Sequence, residues 1–216
     1  MDEGQIRAAV GSERLGLADF LDDLEEAEWA VRSLCPDWTV REVVAHLTIP
    51  TRTSLPGMVV GMLKARGDFH RMTSTGARAR AAASTPAQLT QQLRESAGSA
   101  RRMPGSGPMA PLIDVLVHGQ DIARPLGRRR PMPAEPATAA LAFVAGVAFY
   151  GGPVRLAGLV LVATDTGHTL GDGPEQVRGT TDDLLLAATG RPAGLAGLSG
   201  DGVARLAGRL PAPVAR

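Results

Sequence analysis

The stretch APLIDVLVHGQDIARPLG (residues 110–127) sets three groups able to bind a cation or move a proton among aliphatic residues. A helix advances about 100° per residue, so Asp114, His118 and Asp121 share one side: His118 lies about 40° from Asp114, and Asp121 about 20° the other way. Ile113, Val115, Val117 and Ile122 flank this stripe. Either it faces water, or it faces inward and holds something. An acid and a histidine four apart put two ligand atoms on adjacent turns, near enough to share one ion. A further histidine, His46, lies in DWTVREVVAHL (residues 37–47), with Val43 and Ile49 about 60° to either side on a helix. In a helical bundle, side chains from facing helices meet in the middle and build metal sites. Ligands of N, O and N type from His46, Asp114 and His118 would leave open positions for water or substrate, as in catalytic metal sites. The blander readings are a solvated D-x-x-x-H stripe and a hydrogen-bonded core histidine at 46. Asp121 is open between ligand, orienting partner of His118 and exposed acid. No Ser/His/Asp nucleophile motif is evident. His70 and His168 are expected in exposed loops, and the RRR run at 128–130 as solvated linker.

Several elements must position these residues. Leu17, Leu21 and Leu24 recur at helical spacing with Phe20, Ala27 and Val31, which predicts one amphipathic helix over 5–34, closed by Pro36. The clearest local signal is Thr39 with Glu42 three residues on, a capping box, with Trp38 and Val43 at the spacing of a hydrophobic staple. A second helix therefore starts at Val40 and ends or kinks near Pro50. Pro56 and Gly57 restart a helix through 58–65. Residues 67–85 are Arg-, Ala-, Ser- and Thr-rich and read as a loop or short helix. A third main helix is expected over 86–102, then the breaker-rich MPGSGPMAP, then the Asp114 helix, ending near Gly127. GRRRPMPAEP (127–136) reads as a domain boundary. Beyond it are expected a helix over 136–149, a buried strand in RLAGLVLVATDTG, and turns with a second strand in GHTLGDGPEQVRG. A helix capped by Thr180 or Thr181 and stopped at Gly190 comes next, then a last helix in LSGDGVARLAGRL. The expected fold is mainly α: a four-helix bundle over 1–127, then a small α+β unit over 128–216.

Composition sets the bounds. At 44% hydrophobic and 21% charged residues, the 216-residue chain is not disordered as a whole and can bury a sizeable core. A net charge of +1 gives no reason to expect nucleic acid or a membrane surface as partner. The apolar runs near 139–149 and 156–163 are too short to cross a bilayer, and MDEGQIRAAV is unlike a secretory signal. Cys35 is the single cysteine, which excludes a disulfide framework and a Cys-cluster zinc site and fits a cytoplasmic location. Beside Pro36 at an expected helix end, it reads as structural. Lys64 is the lone lysine against 22 arginines, a bias that goes with GC-rich genomes.

DWTVREVVAHL, followed about 70 residues later by DVLVHGQDIARPLG, resembles the N-terminal domain of mycothiol-dependent maleylpyruvate isomerase-like proteins. These are an actinobacterial branch of the DinB-like metal-binding four-helix bundles. The resemblance spans residues 5–127, and LLLAATGR with LSGDGVARLAGRL resembles the family's sterol-carrier-like C-terminal domain. It implies a divalent metal, commonly zinc, on His46, Asp114 and His118, and a low-molecular-weight thiol, mycothiol, as cosubstrate. The metal would lower the thiol's pKa so that thiolate attacks an electrophilic small molecule. Addition to a double bond, rotation and elimination would make an isomerase; release of the adduct would make an S-transferase. One departure stands out: the isomerases carry Glu where this chain has Asp114. They also use a C-terminal arginine, for which Arg205 and Arg209 are candidates by position alone. The alternative is a non-catalytic DinB-like module that binds a metal or small ligand, a reading the shorter Asp114 favours.

Overall fold

Helix α1 (Glu3–Asp22) begins where Asp2 caps it: the Asp2 carboxylate accepts from the Gln5 amide, and the Gln5 side chain accepts from the Asp2 amide. In this computed structural model, which describes residues 1–211, α1 buries Ile6, Val10, Arg14, Leu17 and Leu21 along one stripe. The helix predicted to reach residue 34 stops at Asp22 instead. Asp22, Asp23, Glu25 and Glu26 crowd an end where the helix dipole is negative, and its last turn holds no basic residue. The chain continues as a short 3-10 turn (Glu26–Ala30) that buries Trp29.

Helix α2 (Val40–Thr48) starts where the capping box places it. Glu42 accepts from the Thr39 amide at 2.7 Å, and Thr39 Oγ1 accepts from the Glu42 amide. Ser54 caps α3 (Leu55–Lys64), with Pro56 in its first turn; α3 buries none of its residues. Residues expected as loop or short helix form the 15-residue α4 (Phe69–Ala83), capped by Asp68. Its inner face is small, with Ala77 and Ala81 as its buried residues. Alanine favours helix yet gives little hydrophobic contrast, so the periodicity was hidden. Helix α5 (Pro86–Glu95) is capped by Thr85 and is shorter than the predicted 86–102; the Ser96 hydroxyl turns back to the Leu93 carbonyl. Helix α6 (Ala110–Ala123) carries the Asp114 stripe.

Helix α1 packs on α5 and α6, and α2 packs on the same two, which closes a ring of four helices. Helix α4 lies against α2, and α3 against α4. Leu17, Leu21, Val43, Leu47, Leu89 and Leu93 belong to one buried cluster inside the ring. The chain divides into two compact units, Asp2–Arg129 and the part from Arg130 onward.

In the second unit, α7 (Ala134–Gly146) packs on α9 (Thr181–Ala188), with the short α8 (Gly152–Arg155) between them in sequence. Three strands follow α8: β1 (Leu159–Ala163), β2 (Thr169–Leu170) and β3 (Glu175–Gly179), in spatial order β2-β1-β3. Strand β1 pairs antiparallel with β2 (Leu161 opposite Leu170) and parallel with β3 (Leu161 opposite Val177). GHTLGDGPEQVRG therefore holds two strands where one was predicted. Thr180 caps α9, and Gly190, at φ +88°, follows its end in the left-handed region. Helix α10 (Val203–Ala207) comes last. The mainly helical architecture with a small sheet matches the predicted fold class. Among the described residues, no helix is long and apolar enough to cross a membrane.

Candidate metal centre

The capping box fixes the start of α2, so His46 sits on its second turn between the buried Ala45 and Leu47. On α6, Asp114 is half-buried, His118 is buried, and Asp121 is 0% exposed. The stripe faces inward, which disposes of the solvated reading. One ligand atom each from His46, Asp114 and His118 lie within 4.8 Å of one another. The His46 and His118 rings meet edge to face, with centroids 5.0 Å apart and planes at 77°. Trp38 lies beside both, 5.0 Å from the His46 ring and 6.2 Å from that of His118. Its indole N–H donates to Ser74 Oγ at 3.2 Å.

Asp121 is neither exposed nor remote. Its Oδ2 lies 2.8 Å from His118 Nδ1 and accepts from the Cys35 thiol at 3.1 Å. Cys35 Sγ is also 3.6 Å from His118 Nδ1. Because Nδ1 is engaged with the carboxylate, Nε2 is the nitrogen His118 would have left for a cation. Cys35, His118 and Asp121 form a second cluster of potential ligands. Its spacing argues for hydrogen bonding. Around a tetrahedral zinc with bonds of about 2.0–2.3 Å, ligand atoms sit roughly 3.3–3.8 Å apart. The contacts at 2.8 and 3.1 Å are too close for that.

Burial pushes the His118 imidazolium toward neutrality, but the Cys35 sulfur and the Asp121 carboxylate, both against Nδ1, outweigh it and raise the pKa from 6.5 to about 10. A second charge faces the site from α1. Arg14 is buried, and its Nη1 donates to the Ser96 carbonyl at 2.8 Å. Burial lowers its pKa, and the Asp114 carboxylate pulls it back up.

Cys35 is the residue that the sequence reading misplaced. It does not end a helix: it sits in the loop between the 3-10 turn and α2, against Asp121. No spacing links position 35 to 118 and 121, so the pattern carried no signal of this contact. Arg14 did leave one: a charged residue at helical spacing with Val10, Leu17 and Leu21 on the apolar stripe of α1. Away from the centre, His70 is exposed but lies in the first turn of α4, and His168 is a half-buried loop residue. Arg128 is no solvated linker: it pairs with Glu28 at 2.7 Å and lies over the Phe20 ring. Arg205 pairs with Glu175, and Arg209 donates to the Arg155 and Ala157 carbonyls.

A four-helix ring with an inward His/Asp/His cluster, followed by a small three-stranded α+β unit, defines the class of architecture. The chain belongs to the family described as the mycothiol maleylpyruvate isomerase N-terminal domain, whose model matches residues 10–123. Among solved structures, it is similar to the mycothiol-dependent maleylpyruvate isomerase at 14% identity and a TM-score of 0.62, covering 99% of this chain and 97% of that one. A mutant of the isomerase aligns equally well, at 15% identity and a TM-score of 0.61 over the same shares of the two chains. At such identity the likeness establishes the shared fold. No curated protein matches the chain significantly.

Proposed function

We propose that this protein is a metal- and mycothiol-dependent isomerase or S-transferase acting on an electrophilic small molecule, with His46, Asp114 and His118 as the ligands of a divalent metal, zinc by preference. The observation that carries the proposal is the convergence of three ligand atoms from α2 and α6 within 4.8 Å. The donor set fits such an ion: two imidazoles and one carboxylate suit zinc and several other divalent metals, and three protein ligands leave room for a thiol. When bound, the metal and mycothiol together supply a thiolate nucleophile at neutral pH. The chain's own residues do the rest. Asp121 fixes the His118 ring through Nδ1, Trp38 flanks both imidazoles, and Arg14 sets a positive field beside Asp114. Residues 1–127 then hold the chemistry, and residues 128–216 form a sterol-carrier-like unit. A cytoplasmic location suits both a thiol cosubstrate and a lone cysteine that forms no disulfide among the described residues.

The shorter acid at 114 is what favoured a non-catalytic module. Its carboxylate nonetheless reaches the cluster, which supports its assignment as a ligand. The test is elemental analysis of protein purified without chelator, paired with an assay of electrophile turnover in the presence and absence of mycothiol. About one metal per chain, its loss in His46→Ala, and thiol-dependent turnover are the expected results. Full metal content in His46→Ala would refute the ligand assignment. Metal without any thiol-dependent rate would leave a binding module.

A further inference from the structure

We propose that Cys35 is a positioning residue of the metal centre: its thiol holds the Asp121 carboxylate, and Asp121 holds the His118 ring so that Nε2 points at the cation. This rests on the reading of His46, Asp114 and His118 as ligands. Asp121 is fully buried, and a buried carboxylate must be met by donors. Two of them converge on one oxygen, Oδ2: the His118 ring at 2.8 Å and the Cys35 thiol at 3.1 Å. With the thiol in place, the carboxylate is held from a second direction, which limits how far it and the imidazole can rotate together.

The loop that presents Cys35 is itself locked. The Leu34 amide donates to the Asp121 carbonyl at 3.0 Å, so the residue before the thiol is pinned to the residue the thiol contacts. Ser33 Oγ accepts from the Cys35 amide at 3.1 Å and donates to the Trp38 carbonyl at 2.9 Å, while the Ser33 amide donates to the same carbonyl. One loop thereby delivers Cys35 to Asp121 and Trp38 to the two histidines. The tether from α6 to the loop is double, through backbone at Leu34 and side chain at Cys35. A cysteine serving only as small apolar filler would need neither the Asp121 contact nor this loop geometry.

The experiment compares zinc affinity, by chelator competition on the full chain, in the wild-type protein and in Cys35→Ser, Cys35→Val and Cys35→Ala. Melting temperature is followed in parallel, and His46→Ala serves as the ligand control. Loss of a group that orients a metal ligand costs about 10–100-fold in affinity. The expected result is a loss of that size in Cys35→Val and Cys35→Ala, with most of it recovered in Cys35→Ser, whose hydroxyl can still donate to Asp121. Cys35→Val keeps the packing and discards the donor, so wild-type affinity in that variant, alongside metal loss in His46→Ala, overturns this proposal and spares the ligand assignment. Failure of Cys35→Ser to bind better than Cys35→Val overturns it too. The cobalt-loaded wild-type protein should lack an intense near-ultraviolet thiolate band; its presence would make Cys35 a ligand and refute the positioning role. A wild-type protein that takes up no zinc brings down both readings.

Discussion

Metal uptake by this protein should release a proton at pH values where an ordinary histidine has none to give. His118 is buried, and the balance of burial against Cys35 and Asp121 places its pKa at about 10. Below that pH the metal-free ring is an imidazolium with Nδ1 toward Asp121, and a cation must displace the proton at Nε2. At pH 7, roughly three units below the pKa, that displacement costs about 4 kcal/mol. The apparent affinity should therefore climb about tenfold per pH unit from His118 alone between pH 7 and 9. An unperturbed histidine at 6.5 would instead level off above pH 7.5 or so. The sign for the metal-free protein is opposite. A folded-state pKa raised above the unfolded value stabilises fully below about 6.5, and that contribution is lost as the pH rises through 10. Rising pH thus weakens the metal-free fold while it tightens the metal complex. Chelator competition at half-unit steps from pH 6.5 to 9, with calorimetry in two buffers of different ionisation enthalpy to count protons, reads this out. A flat affinity above pH 7.5 with no proton released would refute the electrostatic account of the Asp121–His118–Cys35 cluster.

Asp121→Asn should weaken metal binding by about 10–100-fold, because the neutral amide no longer fixes the His118 ring as a carboxylate does; chelator competition at one pH checks it. Thr39→Ala removes half of the capping box and should cost about 1 kcal/mol in denaturant unfolding, since Thr39 Oγ1 accepts from the Glu42 amide. Leu116→Ala, at a fully buried α6 position, should cost about 2–5 kcal/mol in the same measurement.

The parts of the fold legible in the sequence were those with strong local chemistry. Thr39 and Glu42 announce the start of α2, and Pro86, Thr180 and Gly190 mark other helix ends where they were expected. The proximity of the candidate ligands was legible because Asp114 and His118 share a face of one helix and His46 lies on the apolar side of another. What stayed hidden depends on weak contrast or long range. Helix α4 hides because alanine makes its buried face, and α1 ends early because its acids meet an unfavourable dipole. Cys35 lies 86 residues from Asp121 in sequence, in a loop without periodicity, so only the fold brings the thiol to the carboxylate.

Helix α6 buries eleven of its 14 residues, so nearly every side of it is occupied. A helix without a dispensable face tolerates little substitution, because each change is felt by a neighbour. Two of the three candidate ligands are thus fixed to an element that has almost no freedom to drift. Retuning the centre toward another ion or electrophile has more room on the opposite wall, where Pro36 and Asp37 are exposed and Arg41 and Ile49 are half-buried beside Cys35, Trp38 and His46. Libraries aimed at new chemistry belong on those four positions, with 112–123 left untouched.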